Sequence, residues 1–424
     1  MSEWREVYLN EAYSICSGIS KPAKDFGSGF PFLSFKDVFN NFFIPEKLSE
    51  LVESTDKERE SFSIKRGDVF LTRTSETVKE LGMSCVSLKD YENATFNGFT
   101  KRLRPNNNFV IVPEYAGYYF RTSKFRSEVT AMSSASTRAS LNNEMLGRLK
   151  IILPSEKEQK QIAAVLFCLD NKIDNLRRQN ETLEKIAQTL FKHWFIDFEF
   201  PNDDGKPYKS SGGAMVASEL GDIPEGWHVA CLDEYVNVIN GYSYKGTELL
   251  ESDTALINLK NFDRNGGFKV DGFKSLKTDN YKKQHIVCPN DLIVAHTDLT
   301  QNAEVLGNAA LVQPSDKYKK YILSMDLVKL ESKKDFLNNF FFYYLLSTRE
   351  FKGHCIGYSN GTTVLHLSKK AIPEYIFPVS NEIDIIIKFQ NIASILRNKI
   401  TNNIQQIQTL IKTRDALLPK LMSG

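Results

Sequence analysis

The chain alternates between short apolar runs and long stretches in which apolar residues recur at every seventh position. The short runs are separated by Gly, Asn and Pro turns and by helical patches, which is typical of mixed α/β domains. The clearest predicted strands are residues 69–71, 109–112, 150–153, 291–295 and 375–378. The pattern therefore predicts globular α/β lobes combined with long helices.

The sequence contains an internal repeat, which we sought first because a repeat defines the whole fold. A shift of 223 positions (227 minus 4) maps the first residue of each following pair onto the second: Trp4 and Trp227, Gly18 and Gly241, Asp68 and Asp291, Thr74 and Thr297. In the helical parts a shift of 227 positions (396 minus 169) relates Leu169 to Leu396 and Ile173 to Ile400. Each copy therefore consists of one lobe followed by one long helix.

The repeat divides the chain into five predicted segments. The first lobe is expected at residues 1–153, and the first long helix at 154–200. A surface connector rich in Pro, Gly, Asp and Ser follows at 201–222. The second lobe is expected at 223–379, and the second long helix at 380–424.

The long helices carry a coiled-coil pattern. Ser155 can cap the first helix, and Glu158 can complete a capping box. The heptad positions predict a seam formed by Ile162, Leu166, Leu169, Ile173, Leu176, Asn180, Leu183, Leu190, Leu396, Ile400, Asn403, Ile407, Leu410 and Leu417. The two asparagines either fix the register of the helices or are tolerated polar residues near water.

The simplest closed arrangement packs the two helices as an antiparallel coiled coil, with one lobe at each end and pseudo-two-fold symmetry. The expected fold class is therefore α/β, with two pseudo-symmetric lobes joined by two long helices.

Composition narrows the class of protein. Apolar residues make up 42% and charged residues 25% of the 424 positions, as in globular proteins, and no apolar run is long enough to cross a bilayer. The first residues lack the pattern of an export signal, so we expect a cytoplasmic protein without membrane contact. The net charge of +2 neither requires nor excludes a polyanionic partner.

Catalytic motifs were sought, and the sequence predicts none. The chain has no Pro-Pro pair for an amino-methyltransferase loop and no Gly-x-x-x-x-Gly-Lys-Ser/Thr phosphate loop. Glu-x-Lys fragments at Glu158 and Glu331 lack the preceding Pro-Asp of a nuclease site. The six cysteines and six histidines are scattered, so we expect no metal site.

Polar and cationic residues at the turns of both lobes suggest binding of nucleic acid. Duplex recognition requires cations for phosphates and amide or forked side chains for base edges. The candidate DNA-binding residues are Lys36, Arg73, Thr74, Ser75, Lys101, Arg102, Arg104, Thr137, Arg138, Lys260, Asn261, His296, Thr297, Asn360, Thr362 and Thr363. Equivalent turns carry different residues in the two copies, which favours recognition of two different sequences.

Several segments resemble the specificity (S) subunit of type I restriction-modification enzymes. The resemblance spans the whole chain in the family's order and is carried by residues 153–162, 190–195, 198–201, 221–227 and 414–424. One departure is Phe389-Gln390, where the first copy has Glu158-Gln159, and it makes the start of the second helix less certain.

The resemblance implies two target-recognition domains, each recognising one part of a split, asymmetric site in double-stranded DNA. The helices would set the spacer and dock two methyltransferase (M) subunits, which bring S-adenosylmethionine and methylate adenine. Restriction (R) subunits would use ATP and Mg to translocate and cut DNA. The chain itself would be no enzyme and would carry no cofactor. The alternative is a cytosolic coiled-coil scaffold without DNA specificity.

Overall fold

The structure is a computed structural model that describes residues 4–75, 80–132, 139–264 and 266–422. Contacts within the chain define two compact units. Unit 1 comprises Met1–Asp174 and Thr409–Gly424, and unit 2 comprises Asn175–Gln408. We call the globular parts of units 1 and 2 lobe 1 and lobe 2.

Lobe 1 contains short strands and helices that precede a long helix. Its strands are β1 (Arg5–Tyr8), β2 (Tyr13–Ser17), β3 (Phe26–Leu33), β4 (Glu50–Val52), β5 (Val69–Thr72), β6 (Thr74–Ser75), β7 (Ser84–Val86), β8 (Thr95–Phe96), β9 (Thr100–Pro105), β10 (Ala139–Ser140) and β11 (Lys150–Leu153). Its helices are α1 (Leu9–Ala12), α2 (Phe35–Asn40), α3 (Asp56–Ser61), α4 (Pro113–Tyr119), α5 (Ser123–Met132) and α6 (Asn143–Gly147). The long helix α7 (Glu156–Phe191) follows.

Lobe 2 has the same kinds of elements. Its strands are β12 (Met215–Ser218), β13 (Gly221–Pro224), β14 (Trp227–Cys231), β15 (Val236–Asn240), β16 (Thr254–Ile257), β17 (Lys274–Ser275), β18 (Ile286–Val287), β19 (Leu292–Ala295), β20 (Thr297–Asp298), β21 (Ala309–Leu311), β22 (Lys320–Leu323), β23 (Leu327–Ser332), β24 (Ser359–Asn360), β25 (Leu365–Leu367) and β26 (Ile376–Ser380). Its helices are α8 (Asn339–Leu346) and α9 (Arg349–Gly357), and the second long helix α10 (Ile383–Leu421) closes the chain.

The sheets of the two lobes share one topology. Lobe 1 has an antiparallel sheet in the order β2-β9-β5-β7, and lobe 2 has the order β15-β23-β19-β21. The strands that lead into the long helices also have equivalent partners, since β1 pairs with β11 in lobe 1 and β14 pairs with β26 in lobe 2. The predicted repeat of α/β lobes is therefore confirmed.

Each lobe also has a second sheet, which contains three strands in lobe 1 and four in lobe 2. Lobe 1 has β4-β3-β8, with β3 and β8 parallel, and lobe 2 has β17-β16-β22-β18, with β16 and β22 parallel. Both sheets pack on the same side of their lobes' central strands through buried apolar residues such as Phe70 and Ile293. The common frame therefore extends beyond the central sheet, with one additional strand in lobe 2.

The start of α7 follows the sequence prediction. The backbone N–H of Ser155 donates to Glu158 Oε2 (3.0 Å), and the N–H of Glu158 donates to Ser155 Oγ (3.4 Å), so the predicted capping box is confirmed. The second long helix begins at Ile383. Its Gln390 accepts the N–H of Asn338 at 2.6 Å, as Gln159 of α7 accepts the N–H of Val112 at 2.8 Å. Both glutamines thus hold the residue that precedes the first turn of α4 or α8.

The long helices pair within each unit. In unit 1, Arg414 Nη1 of α10 lies 2.8 Å from Asp170 Oδ1 of α7. In unit 2, Asn403 Nδ2 donates to Asn180 Oδ1 at 2.8 Å, and Arg397 Nη1 lies 2.6 Å from Glu184 Oε2. Later residues of α7 thus meet earlier residues of α10, which confirms antiparallel pairing. Every predicted seam residue is buried or half-buried.

Each helix pair is tied to its lobe by a tyrosine. Tyr118 donates to Asp170 Oδ2 at 2.6 Å in unit 1, and Tyr343 donates to Glu184 Oε1 at 2.9 Å in unit 2. The carboxylates that accept these bonds are the ones that bind Arg414 and Arg397. A tyrosine, a carboxylate and an arginine therefore form one network in each unit.

Two local expectations differ from the structure. The predicted strand at 109–112 is wrong, because these residues form a loop that leads into α4. The amide of Gln159 binds Val110 O and the Val112 N–H, and Pro113 opens the helix, so the loop satisfies its polar groups without a strand partner. The predicted connector, residues 201–222, includes β12 and the first two residues of β13, which pair as a hairpin.

The connector is also held by aromatic packing within unit 2. The ring of Phe200 stacks on Tyr208 (4.6 Å between centroids) and on Trp227 (5.4 Å). Within the described part of the chain, none of the helices combines the length and apolarity that a membrane crossing requires.

Candidate nucleic-acid interface

In lobe 1, two of the predicted turns, at Arg73 and at Lys101, lie side by side at the end of strand β5. The backbone N–H of Arg73 donates to Phe99 O at 3.0 Å, and the Leu141 N–H donates to Arg73 O at 2.9 Å. Strand β6 then pairs with β10, so that Thr74 lies opposite Ser140. These pairings place the candidates Arg73, Thr74 and Ser75 next to the segment that follows the predicted turn at residues 136–138. Thr137 and Arg138 of that turn lie outside the described residues.

Lys101 lies in the same region and is almost fully buried, with 6% of its surface exposed. Its ammonium donates to Ser17 Oγ at 2.8 Å and to Asn143 Oδ1 at 2.6 Å. Burial, and then the neighbouring Arg73, lower the pKa of this ammonium. Arg73 is half-buried, and its Nε has no acceptor within the described part of the chain.

Arg102 and Arg104 point into other parts of lobe 1. Arg102 Nη1 donates to Ser63 O at 2.7 Å. Arg104 forms a two-pronged ion pair with the buried carboxylate of Asp68, with Nε–Oδ1 at 2.7 Å and Nη2–Oδ2 at 2.6 Å. These contacts hold strand β9 to the segment before β5. Both guanidinium groups are therefore engaged in the architecture of the lobe.

Lys36 and the Lys260–Asn261 pair lie at other turns. Lys36 is exposed on α2, and Lys260 is exposed on a single helical turn, Leu259–Asn261. Asn261 is fully buried, where its amide donates to Lys269 O at 2.9 Å and accepts the Asn258 N–H at 3.0 Å. Asn261 thus shapes the turn, and Lys260 is the member of the pair that faces solvent.

In lobe 2, the predicted residues converge on a three-stranded sheet in the order β20-β25-β24. His366 of the central strand β25 pairs with Thr297 of β20 on one side and with Asn360 of β24 on the other. Thr362 and Thr363 are exposed in the turn between β24 and β25, where the side chain of Gln301 donates to Thr362 O. The structure therefore brings five sequence-predicted candidates of lobe 2 together, because His296 immediately precedes β20.

His296 is half-buried in this sheet region. Burial, followed by the nearby His366 and Lys369, lowers the pKa of its imidazole. The N–H of His296 donates to the backbone oxygen of Asp326 at 2.9 Å, and burial raises the pKa of the Asp326 carboxyl. Burial and the two neighbours, His366 and Lys369, thus disfavour the imidazolium form of His296.

The corresponding positions of the two lobes differ in chemistry. Arg73 of lobe 1 corresponds to His296 of lobe 2, and Ser75 corresponds to Asp298. The buried Asp298 carboxylate accepts the Val305 N–H at 2.6 Å, which fixes the loop after β20. Arginine and serine thus stand in lobe 1 where histidine and aspartate stand in lobe 2.

Three residues of these regions were missed by the sequence analysis. Phe99 exposes 57% of its surface beside Arg73, Asn143 binds the Lys101 ammonium, and His366 is the central strand residue in lobe 2. Phe99 and His366 lie two and three positions from predicted candidates, so their proximity along the chain was a usable signal. Asn143 had no such signal, because it is 42 positions from Lys101.

Comparison with known proteins matches the duplicated architecture. The model of the family "Type I restriction modification DNA specificity domain" matches residues 1–185 and 224–413, once in each copy of the repeat. The MjaIX specificity subunit of Methanocaldococcus jannaschii is 28% identical over 437 residues, covering 100% of this chain and 93% of that protein. The HindI specificity subunit of Haemophilus influenzae is 24% identical over 477 residues, covering 100% of both chains.

Solved structures agree on the fold. The type I restriction-modification S subunit from M. genitalium superposes with a TM-score of 0.54 at 15% identity, covering 100% of this chain and 96% of that one. The family domain occurs twice and covers most of the chain, and the two lobes that contain it share one sheet topology. These two findings decide the classification. The chain belongs to the family of type I restriction-modification DNA specificity subunits.

Proposed function

We propose that this chain is the DNA sequence-specificity subunit of a type I restriction-modification complex, in which each lobe recognises one half of an asymmetric, bipartite DNA site. The observation that carries the proposal is the pair of small sheets, β6–β10 in lobe 1 and β20-β25-β24 in lobe 2. They occupy the same place in one topology but present different side chains. Such a pair suits recognition of two unlike sequences.

The frame and the variable positions have separate roles in this proposal. Strands β5 and β19 pair with β9 and β23 in the same register, Thr72 opposite Thr100 and Ala295 opposite Leu327. This frame fixes where the turns begin. Residues at the turns then decide the chemistry offered to DNA. Thr74 lies opposite Ser140 in lobe 1, whereas Thr297 lies opposite His366 in lobe 2, so the two lobes offer different contacts.

The paired long helices set the spacer between the two half-sites and dock two methyltransferase (M) subunits. Adenine methylation with S-adenosylmethionine belongs to the M subunits, and ATP- and Mg-dependent cleavage belongs to restriction (R) subunits. The chain itself contributes recognition and assembly, without a catalytic residue or cofactor of its own. Membership in the specificity family supports this division of labour.

The first prediction tests this function. We expect the chain, co-purified with its M subunits, to direct adenine methylation to a single two-part motif in genomic DNA. Sequencing of modified bases after expression in an unmethylated host measures this. M subunits expressed without the chain are the control and should leave the motif unmodified.

Methylation without sequence preference would contradict the proposal. The alternative, a coiled-coil scaffold, has a distinct signature, because its complex would show no salt-dependent affinity for DNA.

A further inference from the structure

Arg73 and Lys101 form a pair of cations in lobe 1 that have no carboxylate partner among the described residues. We propose that this pair binds one backbone phosphate of the DNA held by lobe 1. The inference rests on the proposed function and adds to it the ligand group and the two residues that hold it.

No negative charge among the described residues compensates Lys101 or Arg73. The Lys101 ammonium donates to a serine hydroxyl and an asparagine carbonyl, which orient the group but do not neutralise it. Burial, and then the neighbouring Arg73, disfavour the charged state of the Lys101 ammonium. Arg104 differs, since Asp68 compensates its charge. Arg102 also has only neutral acceptors, but it follows Lys101 on strand β9 and so faces the opposite side of the sheet, where it lies over the Phe96 ring. An anion that enters beside Arg73 and Lys101 would therefore be stabilised by both.

The second step is the rigidity of the site. Lys101 lies between Leu71 and Ser17 in the central sheet, and Asn143 holds its ammonium from helix α6. The backbone of Arg73 is fixed by hydrogen bonds to Phe99 and Leu141. The Lys101 ammonium is thus held in place before any ligand arrives, and the backbone fixes where the Arg73 side chain starts, which reduces the entropy lost on binding.

The third step selects phosphate over a base edge. A side chain that contacts a base must extend into a groove, whereas phosphates form the outer rim of the duplex. Lys101 is only 6% exposed, and Arg73 is half-buried with a fully buried Nε, so the ammonium and the inner part of the guanidinium are recessed in the protein surface. A recessed positive site can receive a protruding phosphate oxygen but cannot reach the floor of a groove.

Lobe 2 lacks this site. The register that places Thr72 opposite Thr100 and Ala295 opposite Leu327 makes Val328 the counterpart of Lys101. Val328 is buried, and the counterpart of Arg73 is His296. The phosphate site is therefore specific to lobe 1.

The second prediction tests the phosphate site in the full chain bound to its M subunits. Affinity for a duplex that contains the methylated motif is measured from low to moderate KCl. When the cations that neutralise one phosphate are removed, DNA binding releases fewer counterions. Arg73→Gln and Lys101→Met together should therefore reduce the slope of log affinity against log salt by about 1. The methylated motif should stay the same, because phosphates carry no sequence information.

Matched variants separate charge from structure. Arg73→Lys keeps the positive charge and should keep most of the slope. Lys150→Met removes an exposed lobe 1 cation that is paired with Glu6 at 2.8 Å, and it should leave the slope unchanged. If Lys101→Met fails to assemble, Arg73→Gln alone decides, with an expected loss of affinity at low salt and a smaller slope.

An unchanged slope in variants of a complex that still methylates its motif would overturn the phosphate site alone. A changed motif would overturn it as well, since it would assign Arg73 or Lys101 to a base edge. A wild-type complex without any sequence preference would instead overturn the proposed function. The two failures are therefore distinguishable.

Discussion

Individual charged residues define how the long helices pair. The shift of 227 positions that relates the helical copies makes Arg397 the equivalent of Asp170 (397 minus 170). These two equivalent positions therefore carry opposite charges. Each finds its complement on the other helix within its unit, Arg414 for Asp170 and Glu184 for Arg397. Arg397 is nearly buried, and a buried charge without its partner is costly. These residues therefore favour pairing of the two unlike helices.

The third prediction concerns the pH dependence that His296 contributes to stability. Burial lowers its pKa in the folded state below the ordinary value of 6.5, whereas the unfolded chain regains that value. As pH falls through the unfolded pKa, the unfolded chain binds a proton that the folded chain does not, so stability decreases. We expect His296→Gln to show a smaller fall in unfolding temperature between neutral pH and about pH 5.5.

The charged or titratable groups that act on His296 are His366 and Lys369, and Asp326 contacts it only through the backbone. Burial raises the pKa of the Asp326 carboxyl, so its effect on stability has the opposite sign, and it is present in both proteins that are compared. The exposed His193, replaced by Gln, is the control. Identical pH profiles for wild type and His296→Gln would contradict the assignment.

At the scale of elements, helix α10 belongs to both compact units. Its last turns, from Thr409, lie in unit 1, where Leu418 and Met422 enter the core of lobe 1 together with Leu166 of α7. Its earlier part lies in unit 2, where Phe389 packs among the rings of Phe191 and Phe195. The C-terminal turns are thus part of the hydrophobic core of the first lobe, although they are the most distant segment in sequence.

The fourth prediction concerns the asparagines of the seam. Asn403 is fully buried and donates to Asn180, so each single change to Leu leaves one amide without its partner. We expect Asn403→Leu to lower the free energy of unfolding by about 1–3 kcal/mol. The double variant Asn180→Leu/Asn403→Leu should regain most of that loss, because two apolar residues then meet in the seam.

Denaturant unfolding of the four proteins in the mutant cycle measures the coupling. Light scattering should show that the double variant associates more readily, since a buried polar pair fixes register and partner. Additive effects of the two single changes would contradict direct coupling.

At the scale of the whole molecule, the fifth prediction concerns the independence of the lobes. Exchange of residues 1–153 for the corresponding lobe of another specificity subunit should alter only one half of the methylated motif. Because Leu418 and Met422 pack in the core of lobe 1, a chimera that also takes residues 409–422 from the same donor should unfold at a higher temperature. Motif sequencing and thermal unfolding measure the two effects. Changes in both half-motifs would refute independent recognition.

The sequence by itself determined the duplication, the alternation of lobe and helix, and the seam, including the positions of Asn180 and Asn403. These features depend on periodicity and on comparison of one part of the chain with another, so neighbouring residues carry the signal. The capping box at Ser155 is equally local. The family resemblance rested on segments of the same kind.

Only the tertiary structure decided which candidate residues face solvent. Arg104 and Lys101 belong to one cationic run, yet Asp68, 36 positions away, neutralises the first, and the second meets only neutral acceptors. Residues 109–112 have the composition of a strand, but the side chain of Gln159 holds them as a loop. Such outcomes depend on contacts between distant parts of the chain, which the pattern of neighbouring residues does not encode.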